Sequence, residues 1–284
     1  MKIGGFLPTT LLDYPEKLAC TIFTYGCNFR CPFCQNGSLV LDVDFDLFNA
    51  SDATVLNGAK RKDASGLQTA YDDYPDADIL ERIKKRKNIL EGVCITGGEP
   101  TLQKDLPNFL ENIKDLGLLV KLDTNGSRPD VVRSLYEKGL IDYVAMDVKS
   151  SKENYPAVSG ISGLSLAAIE ESVEYLIHSG IAYEFRTTLV KGLHTYTDME
   201  AIAAWLKGAE KYYLQSYEDS ERILCKLTSS PADSTTHTSF PISSGPGNDP
   251  LPAGLALESF SMEELQRFLE IARKKIPSAA LRGI

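Results

Sequence analysis

Short apolar runs alternate with amphipathic patterns along most of this chain. The runs are rich in β-branched and aromatic residues and are bounded by turn residues, which is typical of buried strands. We predict six strands, at residues 19–24, 93–96, 118–123, 143–149, 183–190 and 211–216.

The segments between these runs carry apolar residues at helical spacing. Leu166, Ile169, Val173 and Leu176 fall on one face of a helix, and a last helix is predicted at 262–275. Alternation of strand and helix implies right-handed crossovers and a parallel sheet. The pattern fits an incomplete (β/α) barrel or a doubly wound sheet, and in both folds ligands bind at the carboxyl ends of the strands.

Two segments interrupt this alternation. Residues at about 42–75 are polar and irregular, and residues at about 229–254 are rich in Ser, Thr, Pro and Gly. Loops of this length and composition are typical of surface insertions. We therefore predict one domain over 1–284 that carries two insertions.

The charge and hydropathy of the chain favour a cytoplasmic protein that binds neither membranes nor nucleic acid. The net charge is −9, which repels phosphate backbones, and the basic stretch 82–87 fits the end of a helix better than a binding patch. No run of about 18 apolar residues occurs, and the N-terminus is a poor signal peptide. In a reducing compartment, clustered cysteines indicate metal binding or catalysis.

Half of the six cysteines lie in one short stretch after the first predicted strand. Cys27, Cys31 and Cys34 form a C-x₃-C-x₂-C pattern. Thiolates select zinc, copper(I) or iron–sulfur clusters, and a structural zinc site or a fully ligated cluster needs a fourth ligand. The three histidines are scattered and do not supply one. The pattern favours an open 4Fe–4S site, with structural zinc and inert thiols as alternatives.

The stretch CNFRCPFC resembles the cluster-binding signature of the radical S-adenosylmethionine (SAM) enzymes. The resemblance implies a partial (β/α)₆ TIM-like barrel of parallel strands. It also implies that SAM chelates the free iron of the cluster through its amino and carboxylate groups. One electron then cleaves SAM to methionine and a 5′-deoxyadenosyl radical. Phe33, before the last cysteine, is implied to lie against the adenine.

Motifs after the next strands extend this resemblance. Gly97, Gly98 and Glu99 follow the second predicted strand and resemble the family's motif for the amino group of SAM. DTNG, at residues 123–126, and MDVK, at residues 146–149, resemble the pyruvate formate-lyase activating enzyme and its relatives. There the aspartates and the threonine bind a monovalent cation near SAM, and the lysine approaches the SAM carboxylate. The resemblance assigns these roles to Asp123, Thr124, Asp147 and Lys149, and it places Asn125 among the cofactor-binding residues.

Three further sites remain open at the level of sequence. Arg186 is a charge inside an apolar run, so it either pairs with a strand-end carboxylate or binds SAM. His194 is expected on a surface loop. Where relatives carry a histidine after the sixth strand, this chain has QSYE at 215–218.

The opening GGFLPTTLLDYPEK and the segment KYYLQSY are most similar to the anaerobic ribonucleoside-triphosphate reductase activating proteins. The resemblance implies an oxidoreductase that generates a glycyl radical on a partner enzyme, with electrons from an external flavodoxin or ferredoxin. One alternative is a radical SAM enzyme acting on a small molecule or peptide, such as a 7-carboxy-7-deazaguanine synthase. Another is a non-enzymatic metal or iron–sulfur binding module.

Overall fold

The computed structural model describes residues 1–41, 74–229 and 257–283. The insertions predicted at about 42–75 and 229–254 lie outside these ranges except at their edges, so they remain predictions. The chain separates into two compact units. The first comprises Met1–Asn28 with Leu39–Val120, and the second comprises Phe29–Ser38 with Lys121–Ile284.

The strands are short and alternate with helices. The strands are β1 (Ile3–Thr10), β2 (Ala19–Thr24), β3 (Gly92–Gly97), β4 (Leu119–Thr124), β5 (Tyr143–Asp147), β6 (Ala182–Leu189), β7 (Tyr212–Ser216) and β8 (Ala280–Arg282). The α-helices are α1 (Gly37–Leu41), α2 (Asp76–Lys84), α3 (Leu106–Asp115), α4 (Pro129–Glu137), α5 (Tyr155–Ser159), α6 (Ala167–His178), α7 (Tyr196–Trp205), α8 (Leu224–Ser229) and α9 (Met262–Arg273). Among the described residues, no helix has the length and apolar character that a membrane span requires.

The first unit contains a strand that the sequence pattern did not predict. β1 pairs antiparallel with β2, while β2 pairs in parallel with β3 from Ala19 opposite Gly92 to Thr24 opposite Gly97. The β1 sequence, IGGFLPTT, contains two glycines and a proline, which are rare inside strands. Its pairing with β2 is irregular between Leu7 and Thr10, next to Pro8, because proline cannot donate a ladder hydrogen bond.

The second unit confirms the predicted parallel α/β architecture. From β4 to β8, each strand pairs in parallel with the next one along the chain. Five of the six predicted strands agree with the structure to within one residue at each end, and β5 ends at Asp147, two residues before the prediction. The predicted apolar face of α6 is buried through Ile169, Val173 and Leu176.

An ion pair with a fully buried carboxylate links the last strand of the second unit to β6. Arg282 of β8 donates two hydrogen bonds to Glu184 of β6, at 2.6 and 3.0 Å, and the hydroxyl of Tyr143 on β5 donates a third at 2.9 Å. The Glu184 carboxylate is fully buried, so its charge requires these donors.

The C-terminal end of α5 packs tightly against the segment that carries two of the cysteines. The Arg30 amide donates to the Ser159 carbonyl at 2.8 Å, and Gly160 follows with a left-handed φ of +70°. A Cβ atom at Gly160 would lie 2.2 Å from the Arg30 carbonyl oxygen. Only glycine fits there, because both the backbone conformation and the available space exclude a side chain.

We expect Gly160→Ala to lower the free energy of unfolding by about 2–5 kcal/mol, the sum of left-handed strain and a steric clash with backbone. Gly163→Ala is the matched control, since Gly163 has the same φ of +70° but open space around its Cα. It should cost about 1–2 kcal/mol. Urea unfolding of the metal-free protein measures both. Equal losses in the two variants would contradict the close packing of α5 on Arg30.

Candidate active site

The loop that carries Cys31 and Cys34, here called the cysteine loop, is held by backbone hydrogen bonds within the second unit. The Cys34 amide donates to the Cys31 carbonyl at 3.0 Å, which closes a tight turn. The amides of Leu224 and Cys225, at the start of α8, donate to the carbonyls of Cys34 and Pro32, both at 3.1 Å. The backbone of the loop is therefore fixed by protein contacts that do not require a metal.

The cysteine thiols differ in their surroundings. Cys31 is buried, whereas Cys34, and Cys27 in the first unit, are partly exposed, and none of the three is in a disulfide. Burial raises the pKa of the Cys31 thiol to about 12 and also raises the pKa of Cys34, although the positive charge of Lys149 opposes the shift at both sites. Both thiols are therefore protonated in the metal-free protein, and a metal must displace their protons to bind.

In the first unit, the glycine motif after β3 lies against the residues that precede Cys27. The amides of Gly98 and Glu99 donate to the carbonyls of Thr24 and Gly26, at 2.8 and 2.7 Å. A Cβ atom on Gly98 would lie 1.9 Å from the Gly26 oxygen, so this approach requires glycine. Gly97, with a φ of +109°, makes the turn that follows the strand.

The Glu99 side chain has a structural partner. It is fully buried and accepts hydrogen bonds from the amide of Thr101, at 3.1 Å, and from its hydroxyl, at 2.5 Å. It thereby caps the 3-10 turn Pro100–Leu102. A role for Glu99 toward SAM stays a prediction.

Two carboxylates and an arginine meet at the carboxyl ends of β4, β5 and β6. Arg186 donates from Nε to Asp147 Oδ1 at 2.8 Å and from Nη1 to Asp123 Oδ2 at 3.1 Å. Lys149 Nζ donates to the other Asp147 oxygen at 3.0 Å, and Lys121 Nζ donates to the other Asp123 oxygen. We call these five residues the charge cluster.

Of the two interpretations of Arg186, the structure shows the pairing with strand-end carboxylates, and Arg186 pairs with both. A contact of Arg186 with SAM stays a prediction. Although burial disfavours the charged forms, Arg186 keeps the pKa of Asp123 and Asp147 below the ordinary value for a carboxyl group, with help from Lys121 and Lys149. The Asp147 carboxylate likewise raises the pKa of the half-buried Lys149, against the effect of desolvation. Asp123, Asp147, Lys149 and Arg186 are therefore charged at neutral pH, and Lys121 forms an ion pair with Asp123. Three cationic side chains against two carboxylates leave one excess positive charge.

Thr124 and Asn125 serve the turn after β4. The Thr124 hydroxyl accepts from the Gly126 amide at 3.1 Å, and the Asn125 side-chain oxygen accepts from the Ser127 amide at 2.9 Å. Both side chains are buried. The turn holds Asp123 at the end of its strand, and contacts of Thr124 and Asn125 with a ligand stay a prediction.

His194 is buried, with 5% of its surface exposed, so the expectation of a surface position is wrong. Its Nδ1 accepts from the Val190 amide at 3.1 Å, which leaves Nε2 to donate to the Lys149 carbonyl at 2.8 Å. Burial lowers the pKa of the ring, which is consistent with this neutral form. The ring also packs edge to face with the ring of Phe33, with centroids 6.5 Å apart. His194 therefore links the backbone of Lys149 to the cysteine loop.

Sequence reasoning missed two residues of this site, Lys121 and His194. Lys121 carried a usable signal, because it is a charge inside an apolar strand two positions before Asp123, and alternate residues of a strand share a face. His194 carried none, since its segment reads as an ordinary loop and only the tertiary fold buries it.

The donors present suit an iron–sulfur cluster. Within the described ranges, no group of three or more His, Cys, Asp or Glu side chains is placed to hold a single metal ion. Each cysteine of a cluster binds a different iron, so its ligand sulfurs are spread more widely than the ligands of one ion. Three soft sulfur donors in an eight-residue stretch fit such a group, and the positive charge of Lys149 partly offsets the effect of burial on two of them.

Comparison with known proteins assigns the family. Residues 21–206 match the model of the radical SAM superfamily. The chain therefore belongs to the radical SAM superfamily, whose members are catalysts that bind a 4Fe–4S cluster and SAM.

Several relatives and solved structures are similar to this chain. A Methanocaldococcus jannaschii protein named "Putative glycyl-radical enzyme activating enzyme MJ1227" is 31% identical, over 77% of this chain and 81% of that protein. A Thermococcus kodakarensis 7-carboxy-7-deazaguanine synthase is 32% identical, over 71% of this chain and 75% of that enzyme. The crystal structure of Streptococcus suis SuiB bound to S-adenosylmethionine matches with a TM-score of 0.57 at 14% identity, over 98% of this chain and 49% of that one. This likeness shows the fold alone.

We expect Arg186→Met to lower the free energy of unfolding of the metal-free protein by about 1.5–3 kcal/mol, because it leaves two half-buried carboxylates without the hydrogen bonds of their shared cationic partner. Arg128→Met is the control, since Arg128 pairs with Asp130 on the exposed surface at 3.3 Å and should cost less than about 1 kcal/mol. Urea unfolding compares the two variants. If Arg186→Met lowers the free energy of unfolding no more than Arg128→Met does, the pairing of Arg186 with Asp123 and Asp147 is contradicted.

Proposed function

We propose that this chain is a radical SAM activase that generates a glycyl radical on a partner enzyme. The partner proposed is an anaerobic ribonucleoside-triphosphate reductase. The proposal places the reaction in an anaerobic cytoplasm, with an external flavodoxin or ferredoxin as electron donor.

The observation that carries the proposal is the charge cluster beside the cysteine loop, in a chain whose relative over 77% of its length bears the name of a glycyl-radical enzyme activating enzyme. Lys149 belongs to the cluster, and the electrostatic effect of its ammonium reaches Cys31 and Cys34. Two of the proposed cluster ligands and a group for an anionic ligand are therefore close enough to interact electrostatically.

The residues of this chain would divide the work as follows. Cys27, Cys31 and Cys34 would hold the cluster, and the reduced cluster would supply the electron that cleaves SAM. Lys149 and the excess positive charge of the charge cluster would hold the SAM carboxylate. Because Arg186 and Asp147 are already fixed by hydrogen bonds, this part of the site needs little rearrangement when SAM binds.

Phe33 in the second unit and the glycines after β3 in the first unit are each proposed to contact SAM. The rings of Phe33 and His194 pack edge to face, which orients Phe33 for a contact with an adenine. The close approach of Gly98 to Gly26 fixes the backbone from which Gly97 and Gly98 would meet the amino group of SAM.

The overall reaction balances as one hydrogen-atom transfer after one electron transfer. The donor's electron cleaves SAM to methionine and the 5′-deoxyadenosyl radical. That radical takes a Cα hydrogen from a glycine of the partner, which yields 5′-deoxyadenosine and the stored glycyl radical. A glycine loop suits this step because its backbone can adopt the conformations needed to reach another protein's active site.

A second candidate function is that of a 7-carboxy-7-deazaguanine synthase. It is favoured by 32% identity to such an enzyme over 71% of this chain. The two candidates share SAM cleavage and differ in the group that gives up its hydrogen atom, a protein glycine or a small molecule.

We expect the anaerobically reconstituted protein, with SAM, reductant and an anaerobic ribonucleoside-triphosphate reductase, to give the doublet of a glycyl radical in electron paramagnetic resonance. Cys31→Ala should abolish both this signal and 5′-deoxyadenosine release. Cys225→Ala should retain them, because Cys225 lies beside the loop without belonging to the proposed ligand set.

Three outcomes separate the functions. Production of 7-carboxy-7-deazaguanine from the synthase's precursor, with no doublet, would favour the second candidate. No 5′-deoxyadenosine under any condition would favour a non-enzymatic metal module. Release of 5′-deoxyadenosine by Cys31→Ala would contradict the assigned ligands.

A further inference from the structure

Lys121 is a buried lysine in the middle of an apolar strand. Only 1% of its surface is exposed, and its ammonium donates to Asp123 two residues further along β4. A lysine in such a position is costly unless its charge is matched, so its presence requires an explanation beyond packing.

The charge cluster does not fit the monovalent cation that the family resemblance implied. That cation would be bound by Asp123, Thr124 and Asp147. Each of the four carboxylate oxygens already has a cationic partner: Lys121 and Arg186 on Asp123, and Arg186 and Lys149 on Asp147. The Thr124 hydroxyl accepts from the Gly126 amide.

The charge balance of the charge cluster also disfavours a bound cation. With three cations and two carboxylates, the cluster has one positive charge in excess, so a further cation would be repelled at short range in a site of low dielectric constant. An anionic group such as the carboxylate of SAM would instead be attracted. Potassium ion and a lysine ammonium carry the same charge, so a lysine can neutralise Asp123 without any ion from solution.

We propose that Lys121 is a built-in replacement for the monovalent cation, so that SAM binding by this chain does not depend on potassium or sodium. Lys121 acts as a positioning residue: it neutralises and orients Asp123, and this leaves Arg186 shared between the two carboxylates. The inference rests on the proposed SAM site.

The direct test is the affinity of the reconstituted wild-type protein for SAM, measured by isothermal titration calorimetry at constant ionic strength. The salts are potassium chloride, sodium chloride and tetramethylammonium chloride, whose cation is too large for a carboxylate site. We expect dissociation constants that agree within about twofold. An affinity about tenfold weaker in tetramethylammonium than in potassium or sodium would overturn the inference.

Lys121→Met tests the residue itself, since it keeps an unbranched stem and removes the charge. We expect its SAM affinity in tetramethylammonium to fall by about tenfold or more and to recover in potassium or sodium. Lys121→Arg, which keeps the charge, should stay independent of the salt. A Lys121→Met affinity that is the same in all three salts would contradict the replacement.

A second readout does not require the loaded enzyme. In the metal-free state, potassium or sodium should raise the midpoint of thermal unfolding of Lys121→Met and leave the wild type unchanged, relative to tetramethylammonium. If Lys121→Met does not fold, the wild-type titration still decides. If the wild type binds SAM in none of the salts, the proposed SAM site itself is wrong, which is a different result from a cation-dependent affinity.

Discussion

Two half-buried carboxylates at neighbouring strand ends repel each other unless a cation lies between them, and Arg186 meets this constraint. Asp123, Asp147 and Arg186 lie on three consecutive strands, and Arg186 is opposite Asp147 in the β5–β6 register. A slip of one residue in that pairing would direct the side chain to the opposite face of the sheet. The electrostatics of the cluster and the register of the strands therefore specify each other.

The cysteine loop is likewise held in place by protein contacts that do not require a bound ligand. Its backbone is fixed by α5 on one side and by the start of α8 on the other, and the ring of Phe29 packs edge-on against the buried Tyr155, with centroids 6.4 Å apart. Because these contacts already order the loop, metal binding would cost less conformational entropy. Because burial keeps Cys31 protonated, assembly of a cluster is coupled to release of its proton.

The sequence predicted much of the parallel part of the fold, because alternation of apolar strands and amphipathic helices follows directly from burial. The pairing of Arg186 with a strand-end carboxylate was one of two interpretations that the sequence offered, because an arginine inside an apolar run needs a partner. The cysteine pattern is an equally local signal, and its role as a ligand set stays a prediction. The sequence missed β1, since glycine and proline have poor strand propensity and only pairing with β2 makes this segment a strand. It missed the burial of His194, because that burial depends on distant elements. The cation-ligand role that the resemblance implies for Asp123 and Asp147 stays a prediction, made without weighing Lys121.

The family membership and the charge cluster support the central proposal, which is that Cys27, Cys31 and Cys34 hold a cluster with one iron left for SAM. The most direct measurement is electron paramagnetic resonance of the reconstituted, reduced protein before and after addition of SAM, with iron, sulfide and zinc content determined on the same sample. The account predicts about four irons and four sulfides per chain and a cluster signal that changes when SAM is added. A lone zinc ion, or a cluster signal that SAM leaves unchanged, would contradict it.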